Sequence, residues 1–405
     1  MPDLNGKPKL LVLASTYPRW KDDPEPGFVH ELAKRLTDRF QVSVLCPGAS
    51  GAARAEVMDG VSIVRYRYAP ASWQTLVNHG GMVANLKRHP WKWLLVPAFL
   101  LSMLLSLWRE IRRSRPDVLH AHWIIPQGFV AACLGFLGVR LPPLLVTSHG
   151  ADLYTLRAWP LSAAKRYVAR RAAKLTVVSE PMRQELLALG ADDARISVQP
   201  MGVDLAAHFT PDTGVPRSRD EILFVGRLVE KKGLHVLIEA LPSVLAEHPA
   251  ASLTVAGFGP ELITHQALVA RLGLEDKVRF IGAVAQRELP ALYRRAAVFV
   301  APFIEARSGD REGLGLVALE AAGCGCPVIA SGLPPVRDAF DGLPVTLVEP
   351  GQGPELASAL SRVLDTPGDG GAATAVRSGL LRRFDWSAVS GAYERLLLGM
   401  LDGGE

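Results

Sequence analysis

Glu221-Ile222-Leu223-Phe224-Val225-Gly226-Arg227-Leu228-Val229-Glu230-Lys231-Lys232-Gly233 decides the fold. An apolar, β-rich run stops at a glycine, a short cationic loop follows, and a helical pattern of apolar spacing opens near residue 233. A strand with no polar alternation is buried on both faces, as in a parallel sheet covered by helices. A helix that begins just past such a strand turns its unpaired amides and partial positive charge toward the strand's carboxyl end, where anions bind.

The same unit repeats along the chain. Strand-like runs at 9–14, 41–46, 117–121, 144–148 and 175–179 alternate with helical patterns at 28–40, 127–138 and 161–172. After a stretch at 206–219 containing Pro211, Gly214 and Pro216, the alternation restarts. Strands are expected at 221–225, 252–256, 277–281, 298–301, 327–330 and 345–348, and helices at 233–247, 261–272, 286–296 and 314–323. The fold class is therefore α/β, with two doubly wound domains in tandem. We expect domains over 1–208 and 209–384, and a helix within 385–405 that crosses back to the first domain. The length of 405 residues suits two such domains. No short internal repeat is visible.

Charged residues make up 21% of the chain and the formal net charge is +5, which favours anionic partners without choosing among them. The basic residues gather around one apolar segment rather than forming a stripe with exposed aromatics, so nucleic acid is not expected as a partner. Cys46, Cys133, Cys324 and Cys326 lack zinc-site spacing and are expected to be reduced thiols. With no secretory leader ahead of the first strand, a cytoplasmic location is expected.

The second half offers the sharper site. Glu312-Gly313-Leu314-Gly315-Leu316-Val317-Ala318-Leu319-Glu320 sets two carboxylates eight positions apart around a glycine-rich helix start. Gly313 and Gly315 leave the backbone open to a ligand. Glu320 lies within the helix among Ala318, Leu319, Ala321 and Ala322, where a carboxylate needs partners. Ribose hydroxyls would serve, and so would an internal ion pair; Glu312 could meet a sugar or cap the helix. Arg227 can grip phosphate in bidentate fashion and Lys232 adds a mobile charge, although a solvated basic loop would have the same residues. Gly226 opens that basic loop at the end of its strand, and Gly257 ends another strand, as a tight approach of backbone to a ligand or as a plain turn. The backbone near Ile281 could pair with a base edge. A ligand with both a diphosphate and polyols, such as a nucleotide-sugar, fits this set.

In the first half, Thr147-Ser148-His149-Gly150-Ala151-Asp152 follows a strand, and His149 with Asp152 could form a catalytic dyad, a sugar-binding pair or a structural hydrogen bond. No serine elbow accompanies them, which argues against hydrolase chemistry. His120 and His122 share a strand face without a third metal ligand, so we expect His122 to line a cleft and Trp123 to pack there or stack on an acceptor. The long first loop, containing Tyr17 and Glu25-Pro26-Gly27-Phe28, reads as a lid or acceptor loop. Residues 87–115 place tryptophans and Lys/Arg at both ends of an apolar run that falls short of the ~20 residues of a bilayer span. Such a segment can be a core helix, an interfacial helix on anionic lipid, or a helix packed inward with one edge on a membrane.

Taken together these motifs resemble glycosyltransferase family 4, and the resemblance covers nearly the whole chain. It is carried most specifically by 226–233 and by the Glu-x7-Glu element at 312–320. It implies the GT-B fold, two Rossmann-like domains facing across a cleft. It also implies a nucleotide-sugar donor (a UDP- or GDP-sugar), retention of anomeric configuration, and no required metal or other cofactor. By resemblance, Arg227 and Lys232 hold the donor diphosphate, amides of Gly313, Leu314, Gly315 and Leu316 face the phosphates, Glu320 binds the ribose and Glu312 the sugar. His149 then lies near the reacting side of that sugar, with Asp152 its neighbour. Pro26-Gly27 stands where many members carry paired glycines, and the stretch 305–311 is longer than in plainer members. The expected reaction is sugar transfer to an acceptor hydroxyl, with a lipid-linked glycan of an envelope polysaccharide favoured by 87–115. Glycosylation of a soluble metabolite, nucleotide-sugar 2-epimerisation and non-catalytic donor binding are the alternatives.

Overall fold

The computed structural model describes residues 6–402 apart from Asp22, 24–26, His79, Gly80, Leu156, Arg157 and 367–369. The chain divides into two compact units: Met1–Val178, Met182–Met201 and Ser390–Glu405 form the first, and Ser179–Pro181 with Gly202–Val389 the second.

The first unit is built on an eight-stranded sheet. Its strands are β1 (Lys9–Leu13), β2 (Gln41–Pro47), β3 (Ala55–Met58), β4 (Val61–Tyr66), β5 (Val118–His122), β6 (Leu144–Ser148), β7 (Lys174–Val177) and β8 (Ile196–Val198), in the order β3-β4-β2-β1-β5-β6-β7-β8. All pairings are parallel except that of the edge strand β3 with β4. Leu10, Leu11, Leu13, Val118, Leu119, Leu145 and Val146 are fully buried, as expected where helices cover both faces. β3 and β4 went unpredicted because their residues alternate buried and exposed instead of forming one apolar run.

The second unit holds a six-stranded, all-parallel sheet of β9 (Glu221–Val225), β10 (Ser252–Ala256), β11 (Val278–Gly282), β12 (Val298–Ala301), β13 (Val328–Ser331) and β14 (Thr346–Val348), in the order β11-β10-β9-β12-β13-β14. Its core joins Ile222, Phe224, Val255, Val298 and Val300 to Leu234, Leu237, Ile238 and Leu241 of the helix Leu234–Glu247. Several helices open with proline in the first turn and close with arginine, such as Leu289–Arg295 with Arg294 and Arg295, which suits the helix dipole.

Both sheets reverse their order once, between β1 and β5 and between β9 and β12. At such a switch point the flanking loops diverge and leave a crevice at the strands' carboxyl ends. The loops after β1 and β5, and after β9 and β12, carry most of the residues singled out above; His149 and Asp152 follow the neighbouring β6, Gly257 follows β10 and Ile281 lies in β11.

Helix Leu95–Ser114 buries Leu95, Phe99, Met103, Leu107 and Ile111, one residue in four along a single face. Leu94, Leu101 and Leu105 face outward. Pro90–Ser114 is long and apolar enough to cross a membrane by length and composition. However, Phe99, Met103 and Leu107 are fully enclosed in the first unit, contacts that a spanning helix would give up. The last helix, Trp386–Asp402, begins in the second unit and ends in the first, where Tyr393 is fully buried and donates a hydrogen bond to the Gln199 carbonyl at 3.3 Å.

Candidate functional site

In the second unit the turn after β9 is drawn close to its neighbours. Gly233, at φ 67°, packs so tightly that a β-carbon would sit 1.8 Å from the Pro302 carbonyl oxygen, so only glycine fits. Gly257 is similarly pressed, a β-carbon there falling 1.9 Å from the Gly226 carbonyl, while Gly226 N–H donates to Ala256 O at 3.0 Å. Gly226 and Gly257 thus brace each other at the ends of β9 and β10. Arg227 is half-buried beside them. Ile281, on the edge strand β11, is 37% exposed.

The loops after β9 and β12 meet through charge. Lys232 Nζ lies 2.6 Å from Glu312 Oε2 with both side chains mostly covered, and the same ammonium sits 4.7 Å from the centre of the Phe303 ring. Lys231 pairs with Asp310 at 3.2 Å, and Arg307 with Glu230 at 2.8 Å. The long stretch 305–311 is therefore fastened to the loop after β9. Burial alone would raise the Glu312 pKa. The charges of Lys232 and Lys231, the Lys232 hydrogen bond and the Gly315 amide overcome it and hold the group at about 2.

Gly315, at φ 81°, caps the helix Leu316–Gly323. This start is two residues later than expected, because the left-handed Gly315 turns the chain there. Of the amides expected to face phosphate, that of Gly315 is bound to the Glu312 carboxylate; Gly313 and Leu314 are buried and Leu316 half-buried. Glu320 is 7% exposed. Its two oxygens accept from Tyr293 Oη at 3.0 Å and Gln286 Nε2 at 3.3 Å. Among the described residues these partners are neutral, so the ion-pair alternative is not what the structure contains. Burial raises the Glu320 pKa, with Lys232 among the charges that oppose the rise. Each oxygen keeps a lone pair with which to accept a further donor. Tyr293, Gln286 and Phe303 were not foreseen, since nothing in their local sequence marks them as partners of a distant glutamate.

In the first unit three histidines line up across β5 and β6. His120 Nε2 lies 2.7 Å from Thr147 Oγ1. Its ring centre is 4.2 Å from that of His122, and His122 Nδ1 lies 2.9 Å from His149 Nε2 with the rings nearly coplanar, 8° apart. Burial pushes His120 and His149 down to about 3 and also lowers His122. All three are neutral imidazoles near pH 7, so one of the His122–His149 pair donates and the other accepts.

Asp152 does not reach the His149 ring. It is buried, and its oxygens accept from Ile124 N at 2.6 Å, Ser148 Oγ at 2.9 Å and His149 N at 3.3 Å. The expected pair is thus a structural clamp that joins the loops after β5 and β6, and the imidazole partner is His122. Trp123 holds φ 76°, a conformation non-glycine residues rarely adopt. It lies 5.0 Å, centre to centre, from the His149 ring, and Phe28 lies 4.9 Å from the same ring. Phe28 belongs to the loop read above as a lid or acceptor loop, but nothing in the sequence marked it as a partner of His149. Gln127, with its amide nitrogen toward the His122 carbonyl (3.2 Å) and its oxygen toward Ser15 N (2.9 Å), ties the loop after β1 to the end of β5.

Tyr17 is 6% exposed and its hydroxyl lies 2.7 Å from His30 Nδ1, so it packs inside the first unit instead of offering its hydroxyl at the surface. Gly27 precedes the helix Phe28–Arg35 and accepts from Glu31 N at 2.8 Å; Glu25 and Pro26 of the same loop lie outside the described residues. Within 87–115, Trp91 and Trp93 are exposed and Trp73 contacts Trp91 at 5.9 Å between ring centres. Lys92 turns inward to the Thr75 carbonyl (3.0 Å) and Asn85 Oδ1 (3.2 Å), fastening this aromatic corner to the loop that bears Trp73.

Residues 28–207 match the family described as Glycosyltransferase Family 4, and residues 219–366 that described as Glycosyl transferases group 1. A glycogen synthase of Mycobacterium tuberculosis is 33% identical over 306 residues, 71% of this chain and 70% of that protein. A putative colanic acid biosynthesis glycosyltransferase, WcaL, of Salmonella typhimurium is 31% identical over 227 residues, 55% of this chain and 56% of its own length. Among solved structures, a sucrose-phosphate synthase from Thermosynechococcus elongatus superposes with a TM-score of 0.79 over 98% of this chain and all of its own, at 19% identity.

Proposed function

The chain belongs to glycosyltransferase family 4, and from that membership we propose a retaining transfer from a UDP- or GDP-sugar to a hydroxyl of a lipid-linked glycan in envelope polysaccharide synthesis. The coarser identity is plain: this is a nucleotide-sugar glycosyltransferase of the GT-B fold. One observation carries the reading of its donor site. The Lys232–Glu312 pair and the Glu320 carboxylate lie at the switch point of one sheet, close enough for Lys232 to act electrostatically on both carboxylates.

The demanding event is departure of the nucleoside diphosphate. Arg227 and Lys232 stabilise the charge that grows on its phosphate oxygens, a preorganised electrostatic effect worth about 3 kcal/mol per donor. Glu320, steadied by Tyr293 and Gln286, accepts the ribose hydroxyls. Glu312 is ionised at any working pH and serves the sugar hydroxyls, while Lys232 turns from it to the diphosphate. Attack comes from the face the leaving group vacates, and the departing phosphate takes the acceptor's proton. Neutral His149 acts by hydrogen bonding and not as a cation. The scheme calls for no metal or cofactor besides the donor.

For the acceptor, the supporting feature is the outer face of 87–115. Trp91, Trp93, Leu94, Leu101 and Leu105 are exposed, Trp73 of a neighbouring loop lies against Trp91, and Lys87, Arg88, Arg109, Arg112, Arg113 and Arg115 are exposed at its ends. An apolar stripe with aromatic and cationic borders suits the surface of an anionic membrane, which would place the enzyme at the inner face of the plasma membrane. A thermal-shift screen of nucleoside diphosphates tests the donor class, because a ligand that binds only the folded state raises the melting temperature. No shift with any uridine or guanosine diphosphate would reject the assignment.

A further inference from the structure

The sites above do not use a cavity in the first unit, at the carboxyl ends of β2 and β4. It measures about 190 Å³ and has a wall of small residues, Gly48, Ala49, Gly51, Ala52 and Ala53, from which Arg54 and Arg67 project. Both arginines are exposed, and among the described residues neither has an ion-pair or side-chain hydrogen-bond partner. The third arginine of the lining, Arg65, is buried and spoken for: it pairs with Glu56 and donates to the Ala53 and Pro18 carbonyls at 2.8 and 2.9 Å. Gln74 completes the wall. It is 3% exposed, yet its side-chain oxygen has no hydrogen-bond partner. A β-carbon at residue 48 would meet that oxygen at 2.3 Å, so the glycine makes room for the Gln74 amide.

Two guanidinium groups without protein partners beside one small concave pocket make a coherent set of donors for an anion. The guanidiniums suit phosphate oxygens. The volume is below that of ordinary small-molecule pockets, roughly 300 Å³ and up, so it suits a headgroup and not a whole nucleotide-sugar. Two further features say where that headgroup belongs. β4 and β2 are three and two strands from β5 in the sheet, which puts the pocket about 10–15 Å from the carboxyl end of β5 at ~4.8 Å per strand. Ala71 and Gln74 of the lining flank Trp73, whose ring meets exposed Trp91.

We infer that this pocket binds a phosphate or diphosphate group of the acceptor, held by Arg54 and Arg67, one or two sugar units from the attacking hydroxyl. The inference rests on the lipid-linked acceptor reading and gives it a specific anchor. The test is calorimetric titration of the full-length protein with inorganic pyrophosphate, after the donor site has been saturated with the nucleoside diphosphate that stabilises it best. We expect the wild type to bind, Arg54→Ala/Arg67→Ala to bind at least ~10-fold more weakly with its nucleotide shift unchanged, and Arg54→Lys/Arg67→Lys to retain most of the affinity. Equal binding by the wild type and the alanine pair, or no binding by either, overturns the inference. Absence of any nucleotide shift in the wild type would instead strike the donor reading.

The source of the phosphate is read from two arms. Phosphatidylcholine vesicles doped with a polyprenyl phosphate should retain the wild type more than plain vesicles, with the difference lost in the alanine pair. If a sugar 1-phosphate competes with pyrophosphate and the doped vesicles retain no extra protein, the phosphate belongs to a soluble acceptor.

Discussion

Lys232 Nζ and Glu312 Oε2 stand 2.6 Å apart, a pair drawn from loops eighty residues distant in the chain. Each neutralises the other, and on the proposed donor reading Lys232 exchanges this partner for the diphosphate. Arg227→Ala should lower turnover about 100-fold with the fold intact. Lys232→Ala should do the same and also strand a covered carboxylate, so its stability should fall more than that of Lys232→Ala/Glu312→Ala. Urea unfolding of the four corners of this cycle checks the second statement, and steady-state rates the first.

The pair also sets an acid limit. With its pKa depressed to about 2, Glu312 contributes stability that is fully present above its unfolded value near 4.5 and is lost as pH falls toward 2. At about 1.36 kcal/mol per unit this amounts to ~3 kcal/mol. The stability gap between wild type and Glu312→Gln should therefore narrow between pH 4.5 and 2, as followed by denaturant unfolding.

Glu320 behaves in the opposite sense, because burial raises its pKa. Glu320→Gln should leave the empty protein as stable as before or slightly more so, since a buried charge is removed and Tyr293 keeps an acceptor. Nucleoside diphosphate affinity should fall about 10-fold, the scale of a charge-assisted hydrogen bond. Wild type should discriminate against a 2′-deoxyribose nucleotide and the variant should not. Equal discrimination in both would detach Glu320 from the ribose.

His120 is fully buried, with its pKa lowered to about 3. A histidine that must stay neutral favours folding above its unfolded pKa near 6.5 and costs stability as pH falls below it. Between pH 6.5 and 5 this is about 2 kcal/mol. Unfolding curves should show that loss in the wild type and a shallower slope in His120→Asn.

In the turn just ahead of Leu95–Ser114, Trp91→Ser/Trp93→Ser should abolish most binding to vesicles with anionic lipid. Wild-type binding should weaken as salt rises, by screening of the flanking cations. Unchanged cosedimentation of the variant would remove the membrane from the reading.

The interior strands of both sheets could be read because burial on both faces writes an unbroken apolar run, as in Ile222 to Val225. Edge elements such as Ala55–Met58 carry no such mark. The residues proposed to hold the donor stand out in the sequence by their place just after strands, a consequence of chain direction alone. Their pairings were hidden: Lys232 with Glu312, and Glu320 with Tyr293, come from separate elements that only tertiary packing brings together. Asp152 shows the limit most sharply. Spacing set it beside His149, but not whether it would meet the ring or, as it does, the main-chain amide.

The final helix has a bearing on how the molecule is made. Residues from Ser390 onward complete the first unit, and the ring of Tyr393 lies against His120 of β5. During synthesis the N-terminal half therefore emerges without one of its own packing pieces, which the ribosome delivers only after the residues of the second unit have been made.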